Sequence, residues 1–352
     1  MIPCGHKLAD TGRTVEVPGL CCGQQVQAVH RCVIKGECID LGVLPGLHAC
    51  ATCEVSQRPA TFPTVKPVVY KKIQFKAGAG DHGAYNCSLH GDEKAGFAFV
   101  FRSGWTRSNI RACRLSETYQ PQGVMMPLSL LHPRSPRGKE DARLFRFRGK
   151  WHISFTGYEA SDIFCTVLVA EIDPWPDVQS VWVPEYSGRI KQEKNWVFFE
   201  HAGELFCVYK VGSPHRVFHV SGRKLGQEFS VDWKQPEGFG ELRGGASPVL
   251  HNGEWYHWFH TFYRGRQTVY SAGLYTFEDK PPFRPLRAIK TPIAVGGLSQ
   301  ISKEGFRKSV YYPCGAAIKN GRWHISAGEH DSGCTVAAFD AKEIEKELKP
   351  WE

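Results

Sequence analysis

FRFRGKWHISFTG, residues 145–157, is the stretch that decides the fold. It consists of a short strand-like run, the turn Arg148-Gly149, and a second run in which apolar and polar residues alternate. A two-residue turn that ends in glycine between such runs predicts a tight β-hairpin. The same pattern recurs in FFEHAGELFCVYKVG (198–212), VLHNGEWYHWFHTF (249–262) and AIKNGRWHISAGEH (317–330), and more weakly in YNCSLHGDEKAGFAFVFRSG (85–104).

The spacing of these hairpins is long and regular. The positions that follow the five turns are separated by 54, 54, 50 and 68 residues, and they are Phe97, Trp151, Leu205, Trp255 and Trp323. A third strand-like run follows each hairpin. Five units of about 50 residues, each a small antiparallel sheet, are typical of a β-propeller. A β-sandwich with regular hairpins is the alternative, and the fivefold repeat favours the propeller.

The sequence therefore predicts an all-β chain in two parts. Residues 61–352 are expected to form a five-bladed β-propeller, with only the last stretch, DAKEIEKELKPWE, helical. Residues 1–60 are expected to form a small Cys-rich module, and a Pro/Thr-rich joint at 56–67 separates the two parts. Seven of the 13 cysteines lie before this joint, namely Cys4, Cys21, Cys22, Cys32, Cys38, Cys50 and Cys53.

The Cys-rich module has the features of a metal site. Cys50-x-x-Cys53 is half of a zinc-ribbon-type motif. About 50 residues with few large apolar side chains would need a metal for stability. We predict a structural zinc ion, with an iron–sulfur cluster or plain free thiols as alternatives. The preferred ligands are Cys22, Cys38, Cys50 and Cys53.

Charge and composition limit the partners. The formal net charge is +9, which indicates either simple solubility or the binding of an anionic ligand. A small anionic ligand is favoured over nucleic acid, because the chain has no long Lys/Arg run. The sequence has no run of 18 apolar residues, so a membrane span is not expected. The start of the sequence lacks the apolar segment of a signal peptide, and with the odd cysteine count this favours a reduced, cytoplasmic setting.

Polar residues interrupt the strand pattern where each repeat begins. In a propeller the innermost strand of each blade lines the central channel, so the segments YNCS, EDAR, EKNW, RGGASP and YYPCG should face it. Carboxylates and amides that converge there suit the hydroxyls of a sugar. For a single residue the ordinary explanation is a turn cap or a satisfied polar group. The equivalent placement in all five repeats favours a binding site.

These segments resemble, in the same order, motifs of the five-bladed β-mannoside phosphorylase family, which includes inverting mannosyl-phosphorylases and related hydrolases. EDARLFRFRGKWHISFTG is similar to its Glu-Asp-Pro-Arg segment, YNCS to its Phe-Asn-x-Ser segment, and EKNW to its Lys-Asn-Trp segment. RGGASP and YYPCG are similar to the starts of its fourth and fifth blades. The resemblance spans roughly residues 80–340. This chain departs from the family at Ala142, at Tyr85 and in the form of the RGGASP segment.

The resemblance implies a role for each matching residue. Asp141 would be the general acid. The residues implied to hold the sugar next to the cleaved bond are Asn86, Ser88, Arg102 and Asp331. Further substrate contacts are expected from the polar starts of the second and third repeats, at Glu140, Arg143, Lys194, Asn195 and Trp196. The family's phosphate site uses Arg, Lys, His and Tyr, for which the candidates besides Lys194 are Arg189, Arg243, His260 and Tyr270.

The predicted function is that of an inverting glycoside phosphorylase, which cleaves or forms β-mannosidic or similar linkages with inorganic phosphate as co-substrate. A hydrolase or a glycosyltransferase on the same site, and a non-catalytic propeller that binds sugar or protein, are the alternatives. The expected partner is a glycoside or oligosaccharide, with no nucleic acid and no membrane. The interpretation also includes a homo-oligomer.

Overall fold

The computed structural model describes residues 65–350, apart from 76–82, 93–95, 105–107, 160–163, 237–238, 265–267 and 294–308. Of residues 1–64 it describes only the backbone of four strands, β1 (Gly5–Asp10), β2 (Arg13–Pro18), β3 (Cys32–Ile34) and β4 (Glu37–Ile39). These pair as two antiparallel hairpins, β1 with β2 and β3 with β4. The side chains of Cys22, Cys38, Cys50 and Cys53 lie outside the described residues, so the zinc site and the division at residue 60 stay predictions.

The rest of the described chain forms three four-stranded sheets and one ten-stranded sheet, which divides into two units; the resulting five units are called blades. Blade 1 comprises β6 (Ala84–Gly91), β7 (Phe97–Ser103), β8 (Asn109–Leu115) and β9 (Pro121–Pro127). Blade 2 comprises β10 (Gly138–Phe147), β11 (Lys150–Tyr158), β12 (Cys165–Glu171) and β13 (Ser180–Trp182). Blade 3 comprises β14 (Val197–His201), β15 (Glu204–Lys210), β16 (His215–Ser221) and β17 (Lys224–Val231).

The last two blades include strands from distant parts of the chain. Blade 4 comprises β18 (Glu241–Gly244), β19 (Val249–His251), β20 (Glu254–Arg264), β21 (Thr268–Glu278) and β22 (Pro285–Ile289), and β26 (Leu348–Pro350) pairs with β22. Blade 5 comprises β23 (Ser309–Lys319), β24 (Arg322–Glu329) and β25 (Gly333–Asp340), and its outer strand is β5 (Val69–Lys72). The helix α1 (Ala341–Glu347) follows, capped by the Asp340 side chain.

The tight turns are those expected from the sequence. Arg148-Gly149, Ala202-Gly203, Asn252-Gly253 and Asn320-Gly321 each have two positive φ angles, between 50° and 80°. Two positive φ angles define the type I′ turn, whose twist matches that of the flanking strands. Glycine at the second position accepts this conformation without steric cost. These four turns fix the register of the hairpins in blades 2 to 5.

Buried apolar clusters join each blade to its neighbours. Separate clusters lie between blades 1 and 2, 2 and 3, 3 and 4, 4 and 5, and 5 and 1. The turn-following Trp151, Trp255 and Trp323 are all in these clusters, and Trp323 stacks on Tyr256 with ring centroids 4.9 Å apart. Aromatic side chains bury large areas, so these contacts between blades contribute strongly to stability. The predicted five-bladed architecture is confirmed.

The fourth and fifth blades differ from the simple repeat. A short parallel pairing of β21 with β23 joins their sheets. The first strand of blade 4 is split into β18 and β19, both paired with β20. Between them a side chain on Gly245 would overlap the carbonyl oxygen of Trp258 and lie 2.9 Å from that of Pro313. Glycine allows this close approach of backbones, which interrupts the strand.

No helix in the described part of the chain is long and apolar enough to cross a membrane.

Bulges in the first strands determine where the polar side chains point. The register shifts between Tyr85 and Ser88 in blade 1, and between Glu140 and Arg143 in blade 2. A third shift lies at Cys314 in blade 5. A bulge bends its strand and re-aims a side chain, and the first two shifts bring Asn86 and Asp141 into contact across the boundary between their blades.

Candidate active site

Asp141 and Asn86 occupy equivalent bulges of neighbouring blades. Their φ angles are 56° and 48°, in the left-handed region that asparagine and aspartate tolerate better than other non-glycine residues. The Asn86 Nδ2 donates a 2.8 Å hydrogen bond to Asp141 Oδ1. Gly328 of blade 5 packs on Asn86, where any larger side chain would overlap the amide. Three blades thus meet around the Asp141 carboxyl group.

A chain of charged and phenolic groups lies beside Asp141. The Arg102 guanidinium pairs with Glu140 and lies 3.7 Å from Asp141 Oδ1. Tyr158 Oη donates to Glu140 Oε2 at 3.1 Å and accepts from Lys194 Nζ at 2.5 Å. The Arg102 guanidinium also lies over the Tyr85 ring, 4.8 Å from its centroid. Neither Tyr158 nor Tyr85 was among the predicted site residues, although Tyr85 begins the YNCS segment and Tyr158 follows the segment that starts at Glu140.

The groups beside Asp141 perturb one another's pKa values. Burial raises the pKa of Glu140 and the Asp141 carboxylate raises it further, whereas Arg102 and Lys194 act in the opposite direction. Burial opposes the charge of Lys194, but its hydrogen bond to Tyr158 and the adjacent acidic groups outweigh burial, and its pKa is raised. Burial raises the pKa of Tyr85 to about 12. A perturbed acid beside cations in a concave site is typical of catalytic centres.

A second group of polar side chains comes from blade 4. The rings of His260 and Tyr270 stack with centroids 5.6 Å apart. Burial lowers the pKa of His260 well below its usual range, with the Arg143 and Arg243 charges acting in the same direction, so the ring is neutral at pH 7. Its Nδ1 has no hydrogen-bond partner among the described residues. Burial raises the pKa of Tyr270, on which the charges of Arg243, Asp331 and Asp141 also act.

The two groups lie close enough to interact electrostatically, since the Asp141 charge acts on Tyr270. Asp331, in the turn after β24, has a φ of 53° and acts electrostatically on both Tyr85 and Tyr270. Arg243, whose charge also acts on Tyr270, binds the Glu241 carboxylate at 2.8 Å. Blades 1 to 5 all contribute, with Asn86, Asp141, Lys194, Arg243 and Asp331 as examples from each in turn.

Several selected residues lie deeper in the fold. Ser88 is fully buried, and its Oγ accepts a 2.9 Å hydrogen bond from the Leu144 backbone, which joins blades 1 and 2. Trp196 is 3% exposed and packs on Tyr209. Arg143 is 1% exposed and, like Asn195, contacts protein groups of other blades. Arg189 is only partly buried, and it binds the Thr166 hydroxyl on β12.

The described side chains form no cluster that suits a metal ion: no group of three or more His, Cys, Asp or Glu residues among them has a suitable arrangement. The six cysteines in the described part, Cys87, Cys113, Cys165, Cys207, Cys314 and Cys334, are buried free thiols. The site chemistry available from these residues is that of acids, amides, phenols and cations.

The fold recurs in solved structures of glycoside-processing enzymes. A β-1,2-mannobiose phosphorylase from Listeria innocua, in complex with β-1,2-mannobiose, is 17% identical with a TM-score of 0.58, over 81% of this chain and 95% of that chain. A structure reported for glycoside hydrolases of the GH130 family of mannoside phosphorylases, which target β-1,2 mannosidic linkages in Candida mannan, is 11% identical with a TM-score of 0.61, over 80% and 96%.

A third similar structure is the mannose phosphorylase MPT-4 from Leishmania mexicana in complex with phosphate ion. It is 12% identical with a TM-score of 0.52, over 82% of this chain and 92% of that chain. No family model matches the sequence, and no curated protein matches it either. At these identities the likeness establishes the fold, and the chemistry has to be argued from the side chains.

Proposed function

We propose that this chain is a glycoside phosphorylase that acts on β-mannosides, with Asp141 as its general acid and inorganic phosphate as its nucleophile. The observation that carries the proposal is the setting of Asp141. Its carboxyl group accepts a hydrogen bond from Asn86, the Arg102 guanidinium lies beside it, and the Lys194 charge acts on the adjacent Glu140. Similar structures solved with mannobiose and with phosphate support this choice of substrates.

The acid side of the site suits proton donation. In the proposed step, the proton of Asp141 passes to the leaving glycosidic oxygen, directly or through a sugar hydroxyl, as the bond from that oxygen to C1 breaks. Asn86, Arg102 and Asp331 supply amide, guanidinium and carboxylate groups for the hydroxyls of the mannosyl unit. Glu140, tied to Arg102 and Tyr158, holds this arrangement in place.

The blade 4 group suits an anion and forms the anion side of the site. Donors of the kind that bind phosphate oxygens come from Arg243, His260 and Tyr270, and from Lys194 beside the acid. In the proposed reaction a phosphate oxygen forms a bond to C1 from the face opposite the leaving group, which gives an α-sugar-1-phosphate. Because phosphate arrives as a nucleophile, the reaction needs no second carboxylate as a base. Run in reverse, the same site forms a β-mannosidic linkage.

A hydrolase is the alternative that the site also permits. An inverting hydrolase needs a carboxylate base about 6.5–9.5 Å from the acid, to activate water. Asp331 is the candidate for such a base, since it acts on the same tyrosine, Tyr270, as Asp141. A mannosyltransferase that uses a sugar-1-phosphate or a nucleotide sugar would share the acid and the anion side.

Substitution of the acid tests whether the chain is an enzyme. Asp141→Asn should lower turnover of a β-mannobiose by about 10²–10⁴-fold, the usual contribution of general acid catalysis, while sugar binding measured by calorimetry persists. Asp279→Asn is the matched control, because Asp279 is exposed in the turn after β21. A wild-type protein that binds mannobiose without any turnover, in the presence or absence of phosphate, would identify a binding protein instead.

The N-terminal module is proposed to hold structural zinc through Cys22, Cys38, Cys50 and Cys53, on the basis of their spacing in the sequence. Metal analysis of protein purified under reducing conditions without chelator should give one zinc per chain. Substitution of Cys50 and Cys53 by serine should remove it. Protein with intact cysteines and no zinc would contradict this proposal.

A cytoplasmic location and a homo-oligomer are also proposals. Cell fractionation tests the location, and light scattering tests the oligomeric state.

A further inference from the structure

Arg143 is a buried cation without a carboxylate partner among the described residues. Its Nη1 donates to the backbone oxygen of Asp141 at 2.7 Å, and its Nε to that of Gly245 at 2.6 Å. Its Nη2 contacts the Asn195 side chain and the Tyr312 hydroxyl at 3.0 and 2.7 Å. A buried charge held only by neutral acceptors is costly, so the fold gains little stability from it that an apolar side chain could not supply.

The acceptors of Arg143 belong to strained and closely packed backbone. Asp141 and Asn195 have positive φ angles of 56° and 63°. Such residues keep this conformation only where their surroundings hold them. Gly244 also directs its carbonyl oxygen at Arg143, at 3.2 Å, and a side chain there would overlap the Asn195 carbonyl. One guanidinium therefore fixes blades 2, 3 and 4 where they meet.

Tyr312 extends this link to blade 5 and to the anion side. Its hydroxyl accepts from Arg143 and donates to Asn195 Oδ1 at 2.7 Å. The edge of its ring meets His260, with ring centroids 4.4 Å apart. Burial raises the pKa of Tyr312 well above its usual range, so the hydroxyl keeps its proton and its role as a donor.

We propose that Arg143, with Tyr312, is a positioning residue, which holds the backbone of the general acid Asp141 and the His260 side of the site in one fixed geometry, rather than a residue that binds sugar. This inference rests on the proposed function. A planar fork of donors can hold several acceptors at fixed angles, whereas the lysine ammonium cannot. Loss of the fork should therefore misplace the proton donor while the charge stays.

The test compares two leaving groups in the full-length protein. With a β-mannobiose, whose leaving oxygen needs protonation, Arg143→Lys should lower kcat by about 10–10²-fold, the effect of a misplacement of about 1 Å. The KM for the sugar and for phosphate should change by less than about 3-fold, since uniform binding is kept. With 2,4-dinitrophenyl β-mannoside, whose leaving group needs little protonation, the loss should be below about 3-fold. Tyr312→Phe should show the same selectivity to a smaller degree.

Arg287→Lys is the matched control for a purely structural loss. Arg287 also holds several partners, Glu254, Glu345 and Tyr256 at 2.7, 2.8 and 3.0 Å, but beside the C-terminal helix. Its substitution should lower the melting temperature and leave the ratio of the two activities unchanged. Equal losses on both substrates in Arg143→Lys, or a raised KM with an unchanged kcat, would overturn the proposal.

A wild-type protein that turns over neither substrate would refute the proposed function instead. In that case a crystal structure of Arg143→Lys decides the positioning role without activity. Asp141 should then leave the left-handed region and lose its hydrogen bond from Asn86. A variant in which both are retained would overturn the inference.

Discussion

The Asn86 amide donates a 2.8 Å hydrogen bond to the Asp141 carboxylate across the boundary between blades 1 and 2. Both residues sit in bulges at equivalent places of their first strands, and both have positive φ angles. The contact therefore depends on the relative position of the two blades and on the backbone shape of each. Small changes in the packing against Asn86 should therefore change the position of the Asp141 carboxyl group.

Gly328→Ala tests this dependence by displacing Asn86, without changing Asp141 itself. The added methyl group would overlap Asn86 Oδ1 and lie 2.9 Å from the Asn86 backbone nitrogen, which cannot move easily. We expect kcat on a β-mannobiose to fall by about 10-fold or more, because the acid loses its orientation. Gly333→Ala, with no atom within 4 Å of its added methyl group, should have little effect. Equal activity of the two variants would contradict the role given to Asn86.

Glu140→Gln tests the raised pKa of this carboxyl. Burial and the Asp141 charge raise the pKa in the folded protein above the ordinary value. The folded state then holds the proton more tightly than the unfolded state does. This stabilisation is fully present below the unfolded pKa, about 4.3, and is lost as the pH rises through the folded pKa. The glutamine variant lacks this loss, so its free energy of unfolding relative to wild type should increase from pH 4 to pH 7. Urea unfolding across this range measures it, and a relative stability that falls as the pH rises would contradict the account of Glu140.

The buried His215 should make the free energy of unfolding sensitive to acid, through the boundary between blades 3 and 4. Burial lowers its pKa to about 3, and its Nε2 lies 2.9 Å from the hydroxyl of Tyr275, which His257 Nδ1 also contacts at 2.9 Å. Below pH about 6.5 the unfolded chain takes up a proton that folded His215 does not. The free energy of unfolding should fall by up to about 1.4 kcal/mol per pH unit from this residue as the pH decreases.

His215→Gln removes that proton uptake and should flatten the dependence of unfolding free energy on pH between 6.5 and 4. The absolute stability of the variant is expected to be lower at pH 7, because the buried bond to Tyr275 is disturbed. Parallel curves for variant and wild type would show that His215 does not titrate as described.

Much of the fold could be predicted because its signals are local. The turns at Asn252-Gly253 and Asn320-Gly321 and the regular spacing of the hairpins are visible in the sequence. The pairing of β5 with β25 and the joining of β21 to β23 are not, because they link segments far apart in the chain. The split first strand of blade 4 follows from packing on Gly245, which no local pattern reveals.

The candidate site could be predicted in its polar segments and less well in its individual roles. Asn and Asp accept positive φ angles, so the residue types at Asn86, Asp141 and Asn195 could have marked these positions in the sequence. Tyr158 was not predicted, and Tyr312 was predicted only as part of the YYPCG segment, without a role of its own. The burial of Arg143 depends on carbonyl groups from other blades, which only the three-dimensional structure brings together.

The dependence of product on phosphate tests the proposed function most directly. Wild-type protein is incubated with β-mannobioses of different linkages, with and without inorganic phosphate, and the products are separated by ion-exchange chromatography. The proposal predicts α-mannose-1-phosphate, formed only when phosphate is present and lost in Asp141→Asn. Free mannose formed at the same rate without phosphate would contradict phosphorolysis and identify the chain as a hydrolase.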